Sequence, residues 1–192
     1  MSGCCEFEEC YTKERFKAIV ESKIKRPCIK SLMEWLETTD FYTAPASTIY
    51  HGAKEGGLLE HTLTVFENLL GLHIYYTERK GLPQIPVESL AIVALFHDLC
   101  KIGCYEIVGY KKQGDEYIPK YRGCANIDWS YHGECSVEIA ERFIQLTREE
   151  KEAIRYHMGA FHDKSCGQVY DINPLAWLLH VADEEAAYLQ KG

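Results

Sequence analysis

Residues 91–103, AIVALFHDLCKIG, are the stretch on which the reading of this chain turns. They begin as an apolar run, expected as a buried helix, and then set His97 and Asp98 side by side with Lys101 a turn further on. Three- and four-residue spacings stack on a helix, so residues 94, 97, 98 and 101 share one broad face. Imidazole, carboxylate and ammonium are therefore predicted to enter one pocket. The plainer alternative is a capped helix end, with the histidine closing the last turn and the aspartate and lysine solvated. Against it, an unpaired carboxylate inside an apolar run is costly and calls for a cation.

On the N-terminal side, residues 81–86 (GLPQIP) make a turn, which places the His-Asp helix over about residues 87–101. On the C-terminal side the period changes. Residues 105–122, YEIVGYKKQGDEYIPKYR, offer two β-prone arms around Gln113-Gly114-Asp115, the pattern of a hairpin on an otherwise helical chain. The arms carry Lys111, Lys112, Lys120 and Arg122, and a solvated hairpin is preferred to a flap that touches substrate.

Further out, every segment reads at helical period. Residues 50–76, YHGAKEGGLLEHTLTVFENLLGLHIYY, put Leu58, His61, Val65, Leu69 and Leu72 on one stripe, so His61 faces inward. His73 falls off that stripe and is expected at the surface, whereas His51, just before the glycines, looks toward the pocket mouth. In residues 132–146, HGECSVEIAERFIQL, His132 leads the inward stripe of Ser136, Ile139, Ala140 and Phe143. Thr147 with Glu150 forms a capping box for a helix that ends at His157, with Gly159 as the stop. Asn173 and Pro174 start a last helix, PLAWLLHVADEEAAYL, which carries Asp183 on the face of Ala176, Leu179 and Ala186. Near the start, Thr12 caps a helix over residues 11–24, Pro27 ends it, and a short helix follows through Ile29, Leu32, Met33, Trp35 and Leu36. These first helices, within residues 11–38, are scaffold, and residues 40–47 cross the surface as a loop.

Composition narrows the function classes. A chain of 192 residues is long enough for one domain with a sizeable core, and one domain over 1–192 is expected. No apolar run approaches the roughly 18 residues that span a bilayer, and MSGCCEFEEC is acidic where a secretory leader is basic and then apolar, so a cytoplasmic protein is expected. Nine cysteines without CxxC pairs read as reduced thiols and small apolar fillers, and the adjacent Cys4 and Cys5 lack a nearby activating base. A net charge of −8 argues against a broad nucleic-acid surface and leaves a small anionic substrate open, because a bound cation reverses the local sign inside a pocket.

Taken singly, each polar residue on an apolar face has a dull explanation. Together, five helices present His61, His97 with Asp98, His132, His157 and Asp183 to the interior. Nitrogen and carboxylate ligands without thiolates suit divalent manganese, iron, nickel, cobalt or zinc. Their number exceeds the needs of one catalytic ion with open positions, so one or two ions are expected, with Asp98 as the natural bridge.

The phrases GGLLEHTLTV, ALFHDLCKIG and LLHVADEEAAYL resemble the HD-domain superfamily of metal-dependent phosphohydrolases, whose pattern of a histidine, a His-Asp pair and a distant aspartate falls here on His61, His97-Asp98 and Asp183. The likeness covers roughly residues 45–189 and is similar to the HD module of some bacterial 3′-5′ exoribonucleases, without their OB-fold. His132 and His157 match the additional histidines of the binuclear branch, while Met158 stands where many such members have another histidine. The resemblance implies an all-α HD-domain helical bundle with a small hairpin near 105–122. It also implies attack on phosphorus by metal-activated water, with a small phosphoester such as a nucleotide as substrate. Asp98 and Lys101 would be catalytic, Lys101 meeting the phosphate as a point charge, and His51, Arg155 and His162 are further substrate contacts to consider. Two rivals share the ligand set: an HD-type diiron oxygenase, and a non-catalytic metal or nucleotide sensor. A purely structural bundle is disfavoured, because it would bury two carboxylates with no paired arginine on the matching faces.

Overall fold

The structure, a computed structural model, describes residues 11–124, 131–161 and 163–189. Its centre is α4 (Val87–Phe96), in which Ser89 through Phe96 are all buried. A helix apolar on every side is stable only when other helices surround it. Here α1 (Lys13–Lys23), α3 (Gly57–Lys80), α6 (Arg148–Tyr156) and α8 (Pro174–Tyr188) do so. Burying a leucine, isoleucine or phenylalanine contributes about 1.5–3 kcal/mol. Phe16, Leu32, Leu36, Phe41, Leu63 and Leu69 join α4 in one core cluster.

Local signals in the sequence set the helix boundaries. The Thr12 side chain accepts a hydrogen bond from the Arg15 amide at 3.1 Å and starts α1. The capping box of Thr147 and Glu150 starts α6 as expected. Glu150 does more than cap. Fully buried, it accepts from the Ser89 hydroxyl at 2.8 Å and from the Arg26 guanidinium at 2.6 Å, tying α6 to α4 and to the chain after α1. Pro174 is the first residue of α8, but the Asn173 side chain does not cap it. Instead, Asn173 donates to the Glu149 carbonyl at 2.9 Å and so joins α8 to α6.

The hairpin is present as β1 (Tyr105–Gln113) and β2 (Glu116–Gly123), antiparallel around Gly114-Asp115. Gly114 has φ +62°, the left-handed conformation that a tight hairpin turn demands. A bulge at Val108 interrupts the register, and the two strands pack chiefly on each other. The mostly helical chain with this small sheet agrees with the expected class.

Four expectations are corrected. The His-Asp helix does not run to Lys101: α4 ends at Phe96, His97 is its C-cap, Asp98 leaves helical conformation at φ −110° and ψ 20°, and a 3-10 turn covers Leu99–Lys101. The helix that begins at His132, α5 (His132–Glu141), stops five residues early. A short helix, α7 (Cys166–Ile172), was not foreseen. His73 is buried rather than at the surface, because the chain after α3 folds back and the Ile85 amide donates to its Nε2 at 3.1 Å. Among the described residues, no helix is long and apolar enough to cross a membrane.

Candidate metal centre

Five elements deliver the polar interior. The N-terminal ends of α3 and α5 carry His61 and His132, the C-terminal ends of α4 and α6 carry His97 and His157, and the body of α8 carries Asp183. His97 and His157 are placed by the same device. Each closes the last turn of its helix by donating from Nδ1 to the carbonyl three residues back, Ala94 at 2.9 Å and Ile154 at 2.6 Å. A carbonyl only accepts, so Nδ1 holds a proton and Nε2 is the nitrogen left facing Asp98. The capped helix end and the ligand are therefore one arrangement, the outer hydrogen bond fixing the tautomer that a metal requires.

Asp98, 2% exposed, stands where these rings meet. Its Oδ1 contacts His132 Nε2 in a short hydrogen bond and lies 3.8 Å from His157 Nε2. Its Oδ2 lies 2.7 Å from Lys101 Nζ, 3.4 Å from His97 Nε2 and 3.6 Å from His61 Nε2. Asp183 Oδ1 approaches His61 Nε2 at 3.0 Å and His97 Nε2 at 3.8 Å. The six residues singled out as ligands are thus brought together. Among the described residues, three overlapping groups have ligand atoms within 4.8 Å of one another: His61, His97 and Asp183; His97, Asp98 and His157; and Asp98, Cys100 and His132.

The protonation states suit a cation. Burial opposes charge on Asp98, but the Lys101 ammonium and the imidazoles of His97 and His132 outweigh it and hold the carboxyl well below its usual range. Burial likewise opposes charge on Asp183, and the hydrogen bond and charge of His61 bring it below the ordinary value. Burial, together with repulsion from His97, lowers His157 to about 3, so its ring is neutral with a free lone pair. The buried Nε2 atoms of His97 and His157 make no hydrogen bond. A buried polar atom left unpaired costs about 1–3 kcal/mol, which a bound cation would remove. The donor set and these atoms fit a divalent metal.

The remaining sequence candidates divide. Lys101 is in the site, but as the buried partner of Asp98 rather than as a charge directed at the mouth; burial opposes its charge, yet Asp98 raises its pKa. The carboxylate that seemed to lack a counter-charge has this ammonium, which no arginine supplies. His51 lies over His61 with ring centroids 4.8 Å apart, its Nε2 without a hydrogen bond and its pKa lowered to about 4, by burial first and then by His61. Arg155 is engaged elsewhere, gripping Glu134 with two nitrogens, one at 2.8 Å, and so tying α6 to α5. His162 lies outside the described residues, as do Cys4 and Cys5. Sequence reasoning passed over Cys100, grouped with the fillers although it stands two residues from Asp98 in HDLCK. Burial and the neighbouring Asp98 push its thiol pKa up.

The class defined so far is a mainly helical protein with a buried histidine and aspartate cluster able to hold a metal ion. Compared with family models, curated proteins and solved structures, the chain matches none.

Proposed function

We propose that this chain is a metal-dependent phosphohydrolase of the HD-domain type, acting on a small phosphoester, with a nucleotide as the leading substrate. The observation that carries the reading is Asp98, a buried carboxylate within 4 Å of the Nε2 atoms of four histidines and of one lysine ammonium. His61, His97 and Asp183 would hold one ion, His132 and His157 a second, and Asp98 would bridge them. A divalent ion bound there supplies Lewis acidity and activates water near neutral pH. The chain's own groups do the rest. The helix-end hydrogen bonds of His97 and His157 fix the ring orientations, and the surrounding core excludes bulk water, which strengthens every charge interaction inside. Lys101, paired with Asp98 at 2.7 Å, keeps that carboxyl ionised and adds positive charge within the pocket. The −8 net charge favours a small substrate over a long nucleic acid.

The test is metal analysis of protein purified without chelator, followed by assays on nucleoside mono-, di- and triphosphates and cyclic nucleotides, with and without dioxygen. Hydrolysis in both atmospheres is expected. Asp98→Ala should lose all metal and all turnover, and Lys101→Ala should lower turnover with metal content unchanged. Metal retained in full by Asp98→Ala would refute the bridge. Turnover that requires dioxygen and iron would replace hydrolysis with oxygenase chemistry, and no turnover in either atmosphere would leave a sensor.

A further inference from the structure

We propose that Cys100 is a metal ligand, giving the second position a sulfur donor beside Asp98 and His132; this rests on the metal-centre reading above. The ligand atoms of Cys100, Asp98 and His132 lie within 4.8 Å of one another. The second independent sign is His157, fully buried, whose unpaired Nε2 stands 3.8 Å from Asp98 Oδ1 and whose ring lies 5.1 Å from that of His132. Asp98 Oδ1 thus faces two imidazoles, those of His132 and His157, and the Cys100 thiol lies within 4.8 Å of the ligand atoms of Asp98 and His132.

The setting of Cys100 supports the assignment. It sits in the 3-10 turn Leu99–Lys101, which holds it next to Asp98 rather than a full helical turn away. Its amide donates to the Ser136 hydroxyl at 3.1 Å, which anchors the turn carrying the thiol to α5. Ser136 is fully buried one turn along α5 from His132, so the two sides of the position are built on the same helix. When an ion binds, a metal–sulfur bond forms, the S–H bond breaks and the proton leaves to solvent. A sulfur donor shifts preference from manganese and magnesium toward zinc, iron and cobalt.

Cobalt(II) reconstitution of the full chain tests this without reference to turnover. A sulfur-to-cobalt charge-transfer band in the near ultraviolet is expected. Cys100→Ser should abolish the band while the visible cobalt bands and the cobalt content stay, and Cys104→Ser should leave it intact. Bound cobalt with visible bands but no charge-transfer band would overturn the Cys100 assignment and leave the metal centre standing. A band that survives Cys100→Ser would assign the sulfur to another cysteine and overturn it equally. Failure to bind cobalt at all would overturn the metal-centre reading itself.

Discussion

Gly133, the residue after His132, is where the candidate site is most exposed to a small perturbation. A Cβ built on it would lie 2.6 Å from the Arg155 carbonyl oxygen and 2.8 Å from Arg155 Cα, and closer still to the Ile154 carbonyl oxygen. All three are backbone atoms that no rotamer change can clear. Ordinary contact begins near 3.4 Å, so Gly133→Ala must move α5 away from α6 by about 0.8 Å or more. Overpacking of this kind costs about 1–3 kcal/mol, against about 0.5–1 kcal/mol gained by replacing a helical glycine with alanine. The net loss is about 0–2.5 kcal/mol, a fall in Tm of up to roughly 10 °C for a chain of this size. The displacement also separates His132 from His157, whose ring is oriented by the same Ile154 carbonyl, and a site tolerates only about 0.5 Å of such error. Gly71→Ala is the control: Gly71 is exposed on α3 with nothing within 4 Å of the added methyl, so it should raise Tm by about 1–4 °C. Calorimetry of both variants after chelation, with metal titration afterwards, decides the matter. If Gly133→Ala is as stable as Gly71→Ala and binds metal as the parent does, the close backbone contact and its role are wrong.

Lys101→Met leaves Asp98 buried without its ammonium, so chelated protein should lose about 3–5 kcal/mol in urea unfolding, most of it recovered by excess zinc; unchanged stability would show that the pair at 2.7 Å is not formed. Glu150→Ala removes the shared partner of Ser89 and Arg26 and should likewise cost about 3–5 kcal/mol by the same measurement, with less than 1 kcal/mol pointing to water in the gap. Burial lowers the pKa of His73, so its neutral ring contributes stability that is present above the unfolded value of about 6.5 and is lost as pH falls toward its folded value. His73→Gln, which keeps an acceptor for Ile85, should therefore flatten the acid limb of the stability profile, and a profile of unchanged slope would clear His73 of that role.

How far the sequence could be read depended on whether one face of each segment differed from the other. Thr12, the Thr147–Glu150 box and the Gly114 turn are local devices whose partners lie within a few residues, and each was found where expected. The inward stripes of α3, α5 and α8 exposed the histidines and Asp183 for the same reason. Within α4 periodicity carried no such information, because every residue from Ser89 to Phe96 is buried. Nothing there marked the end at Phe96, which comes from His97 turning onto the Ala94 carbonyl. His73 was misread because the Ile85 amide that buries it arrives from beyond the helix. The engagement of Arg155 was not legible because its partner Glu134 is on another helix, and Cys100 was passed over because a thiol looks like a small apolar residue until its neighbours are known.

The spread of the ligands along the chain has a consequence for synthesis. Asp183 follows His61 by 122 positions, so at roughly 5–20 residues per second the first ligand waits about 6–24 s for the last. Until α8 emerges and docks between α3 and α6, no ion finds more than part of the cage. A metal held by this cage would thus be chosen after translation, by whichever ions the finished protein meets, with supply rather than order of assembly setting which one is bound.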